Sequence, residues 1–287
     1  MSAESLVLLL ATGVTKGAVY GLLALGFHIL YAATRMLHFG YGAVAVLAGL
    51  IALTLTNGLH FPFWLTLIVI ILLGWAVGQA HNKWVLAPVR NRDQWIQMIA
   101  LMAIGIVVEN AYALIWGKMP KAAPAFTPGA LSVLGAPVSY QSLWIIGITV
   151  VSVLAIKWLL DYTLMGKSLR GASNNPLAAR LMGISVMSVG GYAYGISMAL
   201  AALGGMVISP ITFAGGQFAF PLTMKGFASL VMGGMFSPIG AVIGGLLLGL
   251  IESVTVGTIG SRYMDVVSMS VLLLFLLVRP HGLFGGE

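Results

Sequence analysis

The chain contains no cysteine and very little charge. The missing thiols exclude disulfides and cysteine nucleophiles, whatever the compartment. Seven acidic and fourteen basic residues make up only 7% of its 287 positions, where a soluble domain carries about 25%. There is no run of basic residues, so the net charge of +7 is scattered over loops. It suits topology signals and contact with anionic lipid, not nucleic acid. No GxxxxGK[ST] phosphate loop is present, so any ATP must be hydrolysed by another chain. Five histidines without cysteine show no ligand spacing for a metal. Asp93, Asp161 and Asp265 fall at loops or segment ends, and no serine sits in a nucleophile setting. A catalytic pair at membrane depth, as intramembrane proteolysis requires, is therefore missing.

What the chain has instead is apolar length. Hydrophobic residues make up 60% and the mean hydropathy is +1.03. Several runs approach the ~20 residues of a transmembrane helix, and no ten-residue alternation suggests a barrel. The expected fold is an all-α polytopic membrane protein, a single transmembrane domain over 1–287. It has about eight membrane segments, near 6–31, 36–56, 62–80, 95–117, 142–160, 186–208, 226–256 and 264–279. The opening Met1-Ser-Ala-Glu4 lacks the positive region of a signal peptide and reads as the start of a retained helix. The seventh segment, with Gly233, Gly234, Gly240, Gly244 and Gly245 around Phe236-Ser237-Pro238, is expected to break into two half-helices or to re-enter.

Lysine and arginine set the orientation. Placing 32–35, 81–94, 157–185 and the tail in the cytoplasm puts nine basic residues there. It leaves Lys16, Lys118, Lys121, Lys225 and Arg262 outside, so the positive-inside rule favours an outside N-terminus and an inside C-terminus. The seventh segment must then enter and return to one side. The stretch Met119 to Tyr140, with Pro120, Pro124, Pro128 and Pro137, becomes a rigid outside loop. Two sequence echoes suggest an inverted repeat. Tyr20-Gly-Leu-Leu-Ala-Leu-Gly26 is answered by Tyr194 to Leu200, and Gly42 to Gly49 by Gly240 to Leu247.

The longest polar interruption is Asp161 to Ser185. Four of the fourteen basic residues lie between Lys157 and Arg180. Asn174-Asn175-Pro176 is a helix start, since Asn caps orphan N–H groups and Pro suits the first turn. The short helix over Leu177 to Met182 can end at Gly183. Leu177, Leu181 and Met182 beside small Ala178 and Ala179 make an apolar knob suited to a partner's socket.

The pattern Arg170-Gly-Ala-x-x-Asn174-Asn175-Pro176-x-x-Ala179-Arg180-Leu-x-Gly183-Ile184 resembles the cytoplasmic coupling loop of ABC-importer membrane subunits of the branched-chain amino-acid, Liv-type, family. Three further blocks are similar to that family in the same order. They are Gly17 to Gly26 with Met36 to Gly42, Gly233 to Gly245, and the closing Arg279-Pro280-His-Gly282-Leu283-Phe284-Gly285. The run His38-Phe39-Gly40-Tyr41-Gly42 departs from the family's Asn-Phe-Ala-His-Gly type of sequence, and Met235-Phe236 departs within the glycine block. Both bear on the transported substrate.

The resemblance implies a transmembrane subunit with no ATPase site and no bound cofactor. ATP-Mg would be hydrolysed by two cytoplasmic ABC ATPases, beside a second related permease subunit and an extracytoplasmic solute-binding protein, in a bacterial inner membrane. Arg170, Asn174, Asn175, Pro176, Ala179, Arg180 and Gly183 would couple to the ATPases. Related permeases serve leucine-like amino acids, urea, amides or aromatic acids.

For the translocation path the candidates are Tyr20, His38, Phe39, Gly42, Glu109, Gly234, Ser237 and Pro238. Tyr41, Phe213, Phe218 and Phe220 are further aromatic wall residues. Glu109 and Glu252 are the acidic residues well inside spans, and such groups are functional candidates or interhelical clamps. Glu109 is favoured, with Asn110 beside it to share hydrogen bonds. His38 and His28 are too isolated in the sequence for a metal site, and His38 suits backbone bonding at a helix break. The glycines at small-xxx-small spacing, Gly17/Gly21 and Gly245/Gly249, read as close helix packing. The competing class is an ion-gradient-driven carrier, which would use the intramembrane carboxylates but would not need the 161–185 loop.

Overall fold

The computed structural model describes residues 3–212, 214–215, 218–279 and 281–284. Phe213, Pro280 and Gly285 lie outside them. The helices are α1 (Ala3–Thr34), α2 (Tyr41–Leu53), α3 (Phe63–Ala80), α4 (Ala87–Val89), α5 (Gln94–Trp116), α6 (Tyr140–Tyr162), α7 (Leu164–Asn174), α8 (Pro176–Leu181), α9 (Val186–Ile208), α10 (Ala219–Gly233), α11 (Pro238–Thr258) and α12 (Met264–Val278). Wide π-type turns extend α2 over Thr54–Gly58 and α3 over His81–Leu86. Among the described residues eight stretches are long and apolar enough to cross a membrane, the number expected from the sequence.

Small residues decide the packing. Among lipid tails there is no hydrophobic force between helices, so close backbone approach must supply the attraction. Gly13, Gly17 and Gly21 of α1 meet Leu250, Leu246 and Val242 of α11 in descending order, which makes the pair antiparallel. A Cβ on Gly245 or Gly249 would run into the backbone of Gly21 or Gly17. Gly74 and Gly78 of α3 fit the backbone of α9 at Met198–Ala199 and Tyr194–Gly195 in the same way. Helix α9 is the core: from Val189 to Ile208 nearly every residue is buried.

These contacts carry an internal symmetry. Helix α1 packs on α11, α10 and α9, while α9 packs on α3, α2 and α1, so α1 corresponds to α9 and α3 to α11. Helix α1 runs antiparallel to α9, with Leu22 and Leu23 at Gly204, Gly26 at Ser197 and Thr34 at Gly190, the sense an inverted repeat requires. The first echo, Tyr20–Gly26 with Tyr194–Leu200, joins equivalent helices. The second does not: α2 corresponds in its contacts to α10, and the likeness of Gly42–Gly49 to Gly240–Leu247 reflects shared glycine-alanine composition.

The glycine-rich seventh segment splits as expected, but it begins earlier, at Ala219, and α10 is only 15 residues long. Helices α10 and α11 form an antiparallel pair closed by Gly234 to Ser237, where Gly234 has φ +112° and the Ser237 side chain accepts from Gly240 N–H. This turn is not a mid-bundle opening. Met235 and Phe236 lie beside His28, Tyr31 and Arg35 at the end of the bundle that carries α7 and α8.

The interruptions inside the bundle are elsewhere. After Thr34 the chain turns back inward, and α2 starts beside the middles of its neighbours. The Tyr41 hydroxyl donates to the Ser197 carbonyl at 2.8 Å, and Gly40 lies against Gly105 of α5. Helix α10 starts at the same level, since Gly42 abuts the Ala219 carbonyl and its N–H donates to Thr223 Oγ1 at 2.8 Å. Two short helices thus meet by their N-termini in the interior.

At the opposite end from α7–α8, Ala130–Val133 and Ala136–Ser139 form an antiparallel hairpin. Gln141 holds the proline-containing loop, accepting from Phe126 N–H and donating to the Val207 carbonyl. A bridge from Lys121 to Ala214 ties the same loop to the chain ahead of α10.

Candidate coupling and translocation sites

The 161–185 stretch folds as two helices, not one. Thr163 caps α7 by accepting from Gly166 N–H. Helix α7 is strongly amphipathic, with Gly166, Leu169 and Ala172 buried. Asn174 ends α7, and Asn175 is the residue that caps α8, accepting from Leu177 and Ala178 N–H at 3.1 and 3.0 Å. Gly183, at φ +81°, closes the turn after α8. Ala179 is buried, while Leu177, Leu181 and Met182 are 69%, 82% and 82% exposed. The knob read from the sequence is a rigid, solvent-facing apolar tip.

Beside it opens a groove of about 820 Å³. Its wall includes Arg180, Pro176 and Gly183 together with Arg35 and Arg90. Arg170 does not face it. Its guanidinium pairs with Asp161 at 3.1 Å and donates to the Leu160 carbonyl, bracing α7 on the end of α6.

Arg35, in the turn after α1, bridges two elements. It donates to the Ser173 carbonyl at 3.1 Å and stacks 4.8 Å from the Phe236 ring centroid. A second cleft, of about 310 Å³, brings Arg170 and Asn174 to Pro238 and Phe236. The α10–α11 turn is therefore in contact with the 161–185 segment.

The path candidates do not form one site. Tyr20 lines a cavity of about 100 Å³ among α1, α2, α9 and α10, and Gly42 packs just below it on Ala219. Phe218 reaches that cavity; Phe220 is exposed. Tyr41 is fully buried in packing against Phe27. His38 is fully buried in the Arg35–Gly40 break, 5.2 Å from the His81 ring. Its ring nitrogens find no partner in another residue, contrary to the backbone bonding expected there. His28 does bond backbone, at the Met235 carbonyl. Phe39 rests near Phe227. Gly234, Ser237 and Pro238 belong to the turn at the α7–α8 end.

Of the two carboxylates, Glu252 is the one built into a network. Glu109 is half-buried on α5, and Asn110 turns away to donate to the Ile106 carbonyl. Glu252 is fully buried. It accepts from Tyr20 OH at 2.8 Å, Ser268 Oγ at 2.6 Å and Lys225 Nζ at 3.0 Å. Lys225 also pairs with Asp265 at 3.0 Å. The network joins α1, α10, α11 and α12. Its bonded partners lie up to 232 residues apart, so no local pattern could signal it; only the cost of burying Lys225 in an apolar run hinted that a partner exists. Among the described residues no group of three or more His, Asp or Glu could hold a metal.

A helical bundle with paired interior half-helices and an intramembrane ion network is the architecture of a polytopic membrane protein. The comparisons agree. Residues 9–277 match the family described as branched-chain amino acid transport system / permease component, and the chain belongs to that family, the transmembrane permease subunits of ABC-type importers. It is 29% identical to the high-affinity branched-chain amino acid transport system permease protein LivH of Escherichia coli K12, over 95% of this chain and 93% of that one. It is 28% identical to BraD of Pseudomonas aeruginosa, over 96% and 94%. It is 30% identical to a probable LivH of Methanocaldococcus jannaschii, over 92% and 88%. Among solved structures, PsaBC from Streptococcus pneumoniae in complex with Fab is similar at a TM-score of 0.48 and 15% identity, over 98% and 92%.

Proposed function

We propose that this subunit carries branched-chain or related apolar amino acids across a bacterial inner membrane, driven by two cytoplasmic ABC ATPases that grip α8. A second related permease subunit and an extracytoplasmic binding protein complete the assembly. The observation that carries the coupling role is the tip of α8. Three large apolar side chains stand in solvent on a capped, six-residue helix, and exposed apolar groups of that kind mark a partner surface.

The N-terminus lies outside and the C-terminus in the cytoplasm. Lys16 and Lys225, counted from sequence as outside charges, are intramembrane groups, which leaves only Lys118, Lys121 and Arg262 on the outer side and sharpens the positive-inside bias. The glycine-rich pair α10–α11 goes in and comes back, so the tail ends on the α7–α8 side, where Leu283 and Phe284 N–H bond the Met232 and Gly233 carbonyls.

In operation, closure of the ATPase dimer moves α8. Arg35 and the cleft at Pro238 pass that displacement to the α10–α11 turn, and the bundle exchanges one packing for another. Energy enters as the difference in ATP affinity between the two packings.

The test is Leu181→Asp, which places a charge on the exposed tip without touching the core. Leucine uptake and substrate-stimulated ATP hydrolysis in vesicles carrying the whole assembly should fall at least about tenfold, the effect of about 1.4 kcal/mol, with the subunit still inserted. Unchanged uptake would remove the coupling role. Uptake by this chain alone, driven by an ion gradient and indifferent to the ATPases, would replace the importer with a secondary carrier.

A further inference from the structure

We propose that the 100 Å³ cavity among α1, α2, α9 and α10 holds the carboxylate of an apolar amino acid in transit, with the Lys16 ammonium as its partner. This rests on the importer reading and adds where in the subunit the cargo's charged end is held.

Most of the wall is apolar, with Ala45, Val46, Ile208 and Leu222 among it, but two ammonium-bearing chains, Lys16 and Lys225, also line it. Lys225 is satisfied, with Glu252 and Asp265 each at 3.0 Å. Lys16 is not. Among the described residues its Nζ reaches the Met264 thioether at 3.8 Å, a weak acceptor for a group with three donors. Glu252 and Asp265 act on it only through space.

An ammonium inside a membrane domain with no oxygen acceptor in contact is costly unless something else supplies one. A ligand carboxylate would. A cationic ligand would face two lysines, and a neutral apolar one would leave Lys16 without an acceptor.

The floor of the cavity favours the same sign. The N-terminus of α10 has no side-chain cap, and Phe218, Pro221 and Leu222 at its first turn line the cavity. Half-helix N-termini carry partial positive charge and attract anionic substrate groups at membrane depth. The formal charges of Lys16, Lys225, Glu252 and Asp265 cancel, but the Asp265 side chain is 62% exposed, so water screens that negative charge more than it screens the lysine in the wall. The volume equals that of about three waters, at about 30 Å³ each, which suits a carboxylate and the carbons next to it.

The absence of cysteine from this chain permits a direct test. Lys16→Cys is assembled with its partner subunits in vesicles, and L-leucine uptake is measured before and after outside treatment with an aminoethyl or a sulfonatoethyl methanethiosulfonate, the wild-type assembly serving as control. Lys16→Cys should lower uptake at least about tenfold, as expected for losing a hydrogen bond to a charged group. The cationic reagent should restore most of it, the anionic one none, and L-leucine should slow labelling. Lys16→Arg, which keeps the charge, should transport near the wild-type rate.

Uptake by Lys16→Cys at the wild-type rate, equal recovery with both reagents, or recovery with neither while the thiol is labelled would each overturn the inference while leaving the importer reading intact. A wild-type assembly that takes up no L-leucine would overturn that reading and this inference with it.

Discussion

Lys225→Met cuts the one fully buried ion pair described in the bundle. Glu252 has no exposed surface and is served by Tyr20, Ser268 and Lys225 at 2.8, 2.6 and 3.0 Å. The variant leaves its carboxylate with two neutral donors and no counter-charge in contact. Removing one partner of a buried pair costs about 3–5 kcal/mol, because the other charge stays behind. The second pair, to Asp265, adds little, since its carboxylate is 62% exposed and exposed pairs are worth about 0–1 kcal/mol. At 2–4 °C per kcal/mol for a chain of roughly this size, the midpoint of thermal unfolding should fall by about 6–20 °C.

The measurement is unfolding of the detergent-purified subunit, followed by tryptophan fluorescence at one fixed scan rate. The double variant Lys225→Met with Glu252→Gln completes a cycle. Removing both charges should recover much of the loss, because the penalty belongs to the stranded carboxylate and not to the missing contact. A single variant within about 1 kcal/mol of wild type, below the usual cost of a stranded charge, or a double variant that is additive, would refute the reasoning.

The glycine seams give a paired prediction. Gly245→Ala would push a methyl into the Gly21 backbone and should destabilise by about 1–3 kcal/mol as overpacking. Gly147→Ala, in α6 with nothing within 4 Å of the new carbon, should be neutral or stabilising by up to about 1 kcal/mol; both are read from thermal midpoints. Asn175→Ala removes two cap bonds at α8 and should cost about 1 kcal/mol of local helix stability, seen as faster amide exchange over 177–182 and weaker substrate stimulation of the ATPases. Arg35→Ala releases both the Ser173 carbonyl and the Phe236 ring; it should lower the amount of leucine moved per ATP while leaving basal hydrolysis in place, and an unchanged ratio would show that the turn is driven another way.

The sequence by itself determined the class, the number of spans and the capped helix within 161–185, because each is local. Twenty apolar residues in a row must be a helix in lipid, Asn175-Pro176 starts α8 through its own backbone, and Ser237-Pro238 must interrupt the seventh span. The sequence favoured Glu109, whereas the buried network is built on Glu252, since a carboxylate is buried or half-exposed according to what packs against it, and the partners of Glu252 come from three other helices.

Nor could the sequence show that Lys16 and Lys225 are intramembrane groups, or that Arg170 is a brace and Arg35 a bridge. A charge looks the same in a sequence whether it ends in water or in a cavity. Most of all, the glycines reported that helices approach closely, not which ones. The tertiary structure decided that the Gly233–Gly240 break turns at the end of the bundle. The interior opening is instead where the N-termini of α2 and α10 meet, because a backbone can be left short of partners at membrane depth only where another element of the fold supplies them.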